Sequence, residues 1–172
     1  AHYELTKFFL QNGIHVHVEK PITANSKEAR EICELADKKG LKLQVGHIER
    51  FNPALMSARE KLTKPLFIEC HRLAAFKPRG TDVSVVLDLM IHDLDVILYL
   101  VKSEPVEVHA VGANVLTQTS DIANARIVFK NGAVANVTSS RVSLNAQRKF
   151  RVFQENQYMS LDFGAVEVRL LT

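Results

Sequence analysis

Between the alternating run Ile14-His15-Val16-His17-Val18 and the next strand-like run, Leu41 to Ile48, there is room for one helix and two short turns and nothing more. Asn25-Ser26-Lys27-Glu28 sets an acceptor side chain three residues before a glutamate, the pattern of a capping box. The helix it opens carries Ala29, Ile32, Cys33 and Ala36 on one face and stops at Lys39-Gly40, a favourable C-terminal signal. Upstream, Leu5, Phe8 and Phe9 followed by Asn12-Gly13 read as the end of another amphipathic helix. Helix, strand, helix, strand with such short connections implies parallel pairing through crossovers. Two parallel strands need cover on both faces and both edges. The expectation is therefore that residues 1–49 are the C-terminal part of an incomplete parallel α/β domain of Rossmann type, truncated at its N-terminus.

The pattern changes further along. Asn52-Pro53 opens a short helix to about Leu62, with proline at the first helical position. A strand from Leu66 to Leu73 leads into the polar loop Lys77 to Asp82, and a long helix runs from about Val85 to Lys102. From Pro105 onward apolar and polar residues alternate, broken by turn signals such as Asn131-Gly132 and Asn156-Gln157. Residues 50–172 thus read as an α+β substrate and oligomerisation domain, an antiparallel meander packed on the long helix. The fold class is α/β (α+β), a Rossmann sheet remnant followed by an antiparallel sheet. Val108, Ala110, Ile127, Phe129 and Val137 are assigned between the two faces of that sheet. A face left uncovered by the helix predicts self-association as a homodimer or homotetramer.

Composition narrows the partners. The net charge of +3 comes from scattered residues without a basic block, which argues against nucleic acid. The most apolar stretch, Val85 to Val101, is interrupted by Asp88, His92, Asp93 and Asp95, so no membrane span is expected. The two cysteines, Cys33 and Cys70, form no CxxC pair. They read as buried, reduced thiols of a cytoplasmic protein.

Chemistry concentrates in two places. Asp88 and His92 stand at i, i+4 and Asp95 at i+7, on one face of a helix that looks apolar on its other sides. Such a stripe is either a satisfied structural hydrogen-bond network or a histidine base held by a carboxylate. As a metal-dependent hydrolase site it has too few imidazoles, and no metal is expected. Glu19-Lys20-Pro21 ends a parallel strand, where open α/β sheets place ligands. Lys20 there is either a general acid/base or a solvated strand end, and the bond before Pro21 tolerates the cis form. His47 follows the second strand and either lines a ligand pocket or has a structural role. Arg50, Arg72 and Arg79 are candidates to hold a diphosphate bidentately, with ordinary surface arginines as the alternative. The remaining histidines, His2, His15, His17, His71 and His109, show no ligand spacing.

Three segments together resemble the Gfo/Idh/MocA family of oxidoreductases. They are Gly13-Ile14-His15-Val16-His17-Val18-Glu19-Lys20-Pro21, Val45-Gly46-His47-Ile48-Glu49-Arg50-Phe51-Asn52-Pro53, and Asp88-Leu89-Met90-Ile91-His92-Asp93-Leu94-Asp95. The second, with Asp82-Val83-Ser84-Val85-Val86-Leu87-Asp88, looks most like the UDP-N-acetylglucosamine 3-dehydrogenase branch. The resemblance implies a parent protein that uses NAD or NADP to oxidise a sugar hydroxyl, on a sugar or nucleotide-sugar substrate. It implies Lys20, His92 and Asp88 as catalytic, with Lys20 or His92 taking the hydroxyl proton. Glu19, Lys20, Pro21 and His47 are implied at the cofactor. The family's GxGxxG turn is absent, since the seven glycines never form it. The pyrophosphate rests on that turn, so this chain alone is expected not to bind the cofactor. The vicinal glycines before the helix aspartate are replaced by Val83-Ser84-Val85-Val86. The competing reading is a non-catalytic sugar-binding or interaction module of the same fold.

Overall fold

Asn25 caps the helix that its spacing predicts, its side-chain oxygen accepting the Glu28 N–H at 3.0 Å. The computed structural model describes residues 1–78 and 80–172, so the Arg79 assignment lies outside the described residues. The chain forms two units, Ala1–His47 and Ile48–Thr172.

In the first unit, α1 (His2–Gln11) and α2 (Ser26–Lys38) accompany β1 (Val16–Glu19) and β2 (Leu43–Gly46). The strands pair in parallel, Val16 opposite Leu43 and Glu19 opposite Gly46. Leu10, Ile32 and Ala36 form the small core, and Lys7 bridges from α1 to Glu31 of α2 at 2.6 Å. Cys33, expected in the apolar stripe, is exposed. The buried stripe is only as wide as one helical row, Ile32 and Ala36 at i, i+4. Leu5 and Phe8 are each 57% exposed on α1.

In the second unit, Asn52 caps α3 (Pro53–Ala58), accepting the Ala54 N–H at 3.0 Å. There follow β3 (Phe67–Leu73), a π-helical turn (Val86–Met90) that runs directly into α4 (Ile91–Val101), and strands β4 (Pro105–Ala113), β5 (Ile122–Phe129), β6 (Val134–Ser140), β7 (Gln147–Gln154), β8 (Gln157–Asp162) and β9 (Glu167–Leu171). They form one sheet in the order β4-β5-β6-β3-β7-β8-β9. It is not the pure antiparallel meander read from the sequence. β3 inserts at its centre, parallel to β6 and antiparallel to β7. Local alternation marks β3 as a strand but carries no trace of partners that arrive so much later in the chain.

Register also corrects the assignment of faces. Val108 stands opposite Ile127, Ala110 opposite Ala125, and Ala125 opposite Val137. With Phe129 two residues beyond Ile127, all five apolar residues share one face. That face meets the helices. Val96, Ile97 and Leu100 of α4 pack with Ile68, Val137 and Phe150, each large side chain contributing about 1.5–3 kcal/mol by leaving water. The other face carries Phe67, Phe153 and Tyr158 beside the ion pairs Arg151–Glu69 and Lys149–Asp162. The long helix is not buried all round. Leu98 is 48% exposed, where a cavity of about 480 Å³ separates α4 from β4 and β5.

The approach to the π-turn is pinned by a buried ion pair. Arg141 donates to the carbonyls of Gly80 and Val83 at 2.7 and 2.6 Å and lies 3.1 Å from Asp121. Asp121, fully buried, accepts the backbone N–H groups of Val115, Leu116 and Thr117. Burial would raise its pKa, but the Leu116, Thr117 and Val115 donors together hold the carboxyl well below the usual carboxylate range. A folded-state pKa below the unfolded value of about 3.9 means that the carboxylate stabilises the fold fully above about pH 4. That contribution disappears as pH falls toward the folded value. Thermal melts between about pH 7 and pH 2.5 should show Asp121→Asn already weakened at neutral pH but less acid-sensitive than wild type below about pH 4. Parallel acid dependences in the two proteins would contradict this role.

Candidate active site

β3 places Ile68, Cys70 and Arg72 on the helix-covered side of the sheet, so an arginine lies where the pattern calls for an apolar residue. A buried guanidinium needs partners. Arg72 is 4% exposed and grips Asp93 of α4 with two bonds, Nε to Oδ2 at 2.9 Å and Nη2 to Oδ1 at 2.8 Å. Its Nη1 donates to Glu49 at 2.9 Å. The other Glu49 oxygen accepts from the Asn52 amide at 3.1 Å, and the same amide donates to the Phe163 carbonyl at 3.2 Å. One cation thus joins β3, α4 and the turn before α3. Burial pulls the Arg72 pKa down, but Asp93 and Glu49 outweigh it and the side chain stays cationic. Burial also pushes the Asp93 carboxyl up, an effect that Arg72 opposes.

Beside this triad, Arg50 holds Asp95 through two bonds of 2.7 and 2.6 Å and lies 5.3 Å above the Tyr99 ring. The Asp95 hydrogen bonds raise the Arg50 pKa against partial burial. Arg50 and Arg72, offered from the sequence as open cleft arginines for a diphosphate, are therefore committed to carboxylates of α4. Neither partner was legible locally, because each pairing joins residues far apart in sequence. A charged residue on the buried parity of β3 was the available signal for Arg72.

The π-turn changes what the helical spacing meant. It takes more residues per turn than an α-helix, so faces before and after it do not continue one another. Asp88 lies within the π-turn and His92 in the first turn of α4. Asp93 and Asp95 are turned inward onto Arg72 and Arg50. Asp88 lines a cavity of about 590 Å³ with Lys77, Gly80, Arg141 and Arg148. Asp95 therefore leaves the functional stripe expected of it. Among the described residues no group of three or more histidine, cysteine, aspartate or glutamate side chains is arranged to hold a metal, and no helix is long and apolar enough to cross a membrane.

In the first unit, Glu19, Lys20 and Pro21 stand at the C-terminal end of β1, and the Lys20–Pro21 peptide bond is cis. His47 follows β2 directly, its N–H donating to the Val45 carbonyl at 2.8 Å. Gly46 stands opposite Glu19 in the register. A Cβ at position 46 would lie 2.9 Å from both Glu19 carboxylate oxygens. The glycine leaves space across the strand end, and an acceptor carboxylate lying there suits vicinal hydroxyls such as those of a ribose. These residues fit the nicotinamide-ribose end of a dinucleotide, while the pyrophosphate-binding turn is not among the 172 residues.

Residues 1–47 match the oxidoreductase family with an NAD-binding Rossmann fold, and residues 59–159 match the GFO/IDH/MocA C-terminal domain. This pairing defines the class as a Rossmann-type domain followed by a separate C-terminal sheet domain. The chain belongs to the GFO/IDH/MocA family of oxidoreductases. It is 41% identical over 164 residues to the UDP-N-acetylglucosamine 3-dehydrogenase of Acidithiobacillus ferrooxidans, a match covering 95% of this chain and 52% of that protein. A solved structure of that dehydrogenase superposes with a TM-score of 0.93 at 39% identity, over 98% of this chain and 56% of the other. The scyllo-inositol 2-dehydrogenase (NAD(+)) of Bacillus subtilis is 28% identical over 148 residues, 77% of this chain and 43% of its own length. The chain thus spans about half the length of these relatives.

Removing one member of the triad leaves a buried charge without its partner. Asp93→Ala should destabilise the protein by about 3–5 kcal/mol, read as a lower denaturation midpoint. A loss below about 1 kcal/mol would show that Arg72 does not depend on this carboxylate.

Proposed function

We propose that the whole protein oxidises a hydroxyl of a nucleotide sugar, of the UDP-N-acetylglucosamine class, with NAD or NADP as acceptor. The observation that carries this reading is the 41% identity, along 95% of the chain, to a protein that bears such an activity in its name. When bound, the nicotinamide supplies the hydride acceptor. Glu19, Lys20, Pro21 and His47 are the residues offered to it, the Glu19 carboxylate toward the ribose hydroxyls. Asp88 orients His92 or the reacting hydroxyl. The hydroxyl proton leaves to Lys20 or His92 as the carbinol carbon gives up its hydride, and the substrate becomes a ketone. A positioned base of this kind is worth about 10²–10⁴-fold in rate.

Lys20→Ala and His92→Ala should each reduce NAD reduction with UDP-N-acetylglucosamine by at least about 10²-fold while melting like wild type. Retained turnover in both variants would remove the site assignment. Residues 1–172 by themselves lack the Gly-rich turn and should show no saturable NADH binding by fluorescence titration. Saturation at micromolar concentration would sink that expectation.

For self-association, the helix-free sheet face is the proposed contact. Its apolar row Phe67, Phe153 and Tyr158 lies beside ion pairs and fits a second copy of the chain. A monomer by light scattering at high concentration would contradict a homodimer or homotetramer built on this face. The alternative of a sugar-binding module without catalysis predicts sugar binding that Lys20→Ala and His92→Ala leave intact, with no nicotinamide reduction in the wild-type protein.

A further inference from the structure

The cavity lined by Asp88 contains three cations, Lys77, Arg141 and Arg148, and Asp88 is the only acid among its described lining residues. Arg141 is spent on carbonyls and Asp121. Lys77 and Arg148 donate no hydrogen bond and form no ion pair among the described residues. Arg148 is also shared, with Leu73 and Ala146, by an adjoining cavity of about 1090 Å³ that reaches Asn145, Gln147 and Ala165. It therefore stands on the wall common to two cavities, with the candidate acid on one side.

The backbone of Arg148 is fixed. It lies opposite Arg72 in the pairing of β3 with β7, and its carbonyl accepts the Phe163 N–H at 2.9 Å. The Arg72 triad has two carboxylates for one guanidinium, and the charge of Arg148 is felt at Asp93. That surplus negative charge favours a cation at this place without occupying its donors. An exposed guanidinium with free donors at the border of two open clefts is the side chain best suited to a diphosphate, since its planar fork matches two phosphate oxygens at once.

From this arrangement we infer that Arg148, assisted by Lys77, is the diphosphate-binding residue of the substrate site and sets the direction in which a nucleotide sugar lies. The sugar ring occupies the cavity at Asp88, the diphosphate the shared wall, and the nucleoside the larger cavity. There Leu73 and Ala165 offer apolar surface, and the Asn145 and Gln147 amides offer donors and acceptors to a base. The inference rests on the nucleotide-sugar reading above. It replaces Arg50 and Arg72, which are bonded to Asp95 and Asp93, with an arginine that makes no ion pair among the described residues.

Calorimetric titration of the protein with UDP, UDP-N-acetylglucosamine and N-acetylglucosamine tests it. Arg148→Gln should weaken UDP and UDP-N-acetylglucosamine roughly 10- to 100-fold, the effect of losing a charge-assisted contact, and leave N-acetylglucosamine unchanged. Lys77→Gln should have a smaller effect in the same direction, and Arg148→Lys should recover part of the loss. UDP affinity equal in wild type and Arg148→Gln, or no UDP binding by wild type, overturns the subsite. Turnover is measured separately. Nucleotide-sugar oxidation together with Arg148-independent UDP binding removes the subsite and leaves the dehydrogenase reading. Arg148-dependent UDP binding without nicotinamide reduction does the reverse.

Discussion

A single buried guanidinium organises the sheet unit. Arg72 leaves the central strand on its covered side and meets Asp93 from the helix above and Glu49 from the turn before α3. Such an ion pair gains little net stability over a well-packed apolar core. Its value is geometric. The two bonds of one bidentate contact, Arg72 to Asp93, fix how α4 lies over β3, and with that the height and rotation of the π-turn that precedes it. Arg50 and Asp95 form a second such pair two residues further along the helix. At its N-terminal approach, Arg141 and Asp121 secure the backbone of Gly80 and Val83. The segment that presents Asp88 and His92 is thus held from both ends by charges that face inward.

These restraints separate acids that look alike in the sequence. Asp88, Asp93 and Asp95 fall within eight residues of one another, yet two are engaged in holding the helix and one lines a cavity. The same sorting applies to the arginines. Arg50 and Arg72 face partners inside the unit, while Arg148, at a neighbouring position on the same side of the sheet, keeps its donors. The family resemblance singles out Asp88 and His92 on this helix. The pairings show what its other two acids do, Asp93 holding Arg72 and Asp95 holding Arg50.

Much of the fold was legible because its signals are local. The Asn25 and Asn52 caps and the Asn131-Gly132 turn each act within four residues and appear where their chemistry places them. What stayed hidden depends on distant partners or on helix geometry. β3 finds β6 and β7 only across α4 and the β4–β5 hairpin, so alternation could mark it as a strand without locating it at the sheet centre. The π-turn has no distinctive residue in Val86-Leu87-Asp88-Leu89-Met90, and the 3.6-residue period therefore carried Asp95 onto the wrong face. Glu19-Lys20-Pro21 and the Asp88–His92 pair were visible by motif, but the space that Gly46 leaves for Glu19 was not.

The central position of β3 also has a consequence for assembly of the chain. β3 is synthesised before every other strand of its sheet, yet both of its edges are filled by strands that follow the long helix. Until β6 and β7 emerge, its backbone donors and acceptors face water or a wrong neighbour, and Arg72 has a helix to meet but no sheet to lie on. Pairings of this span carry a large loop-closure cost and slow folding. During synthesis the sheet would thus close from its middle and late, with the first strand made becoming the keystone that β6 and β7 lock.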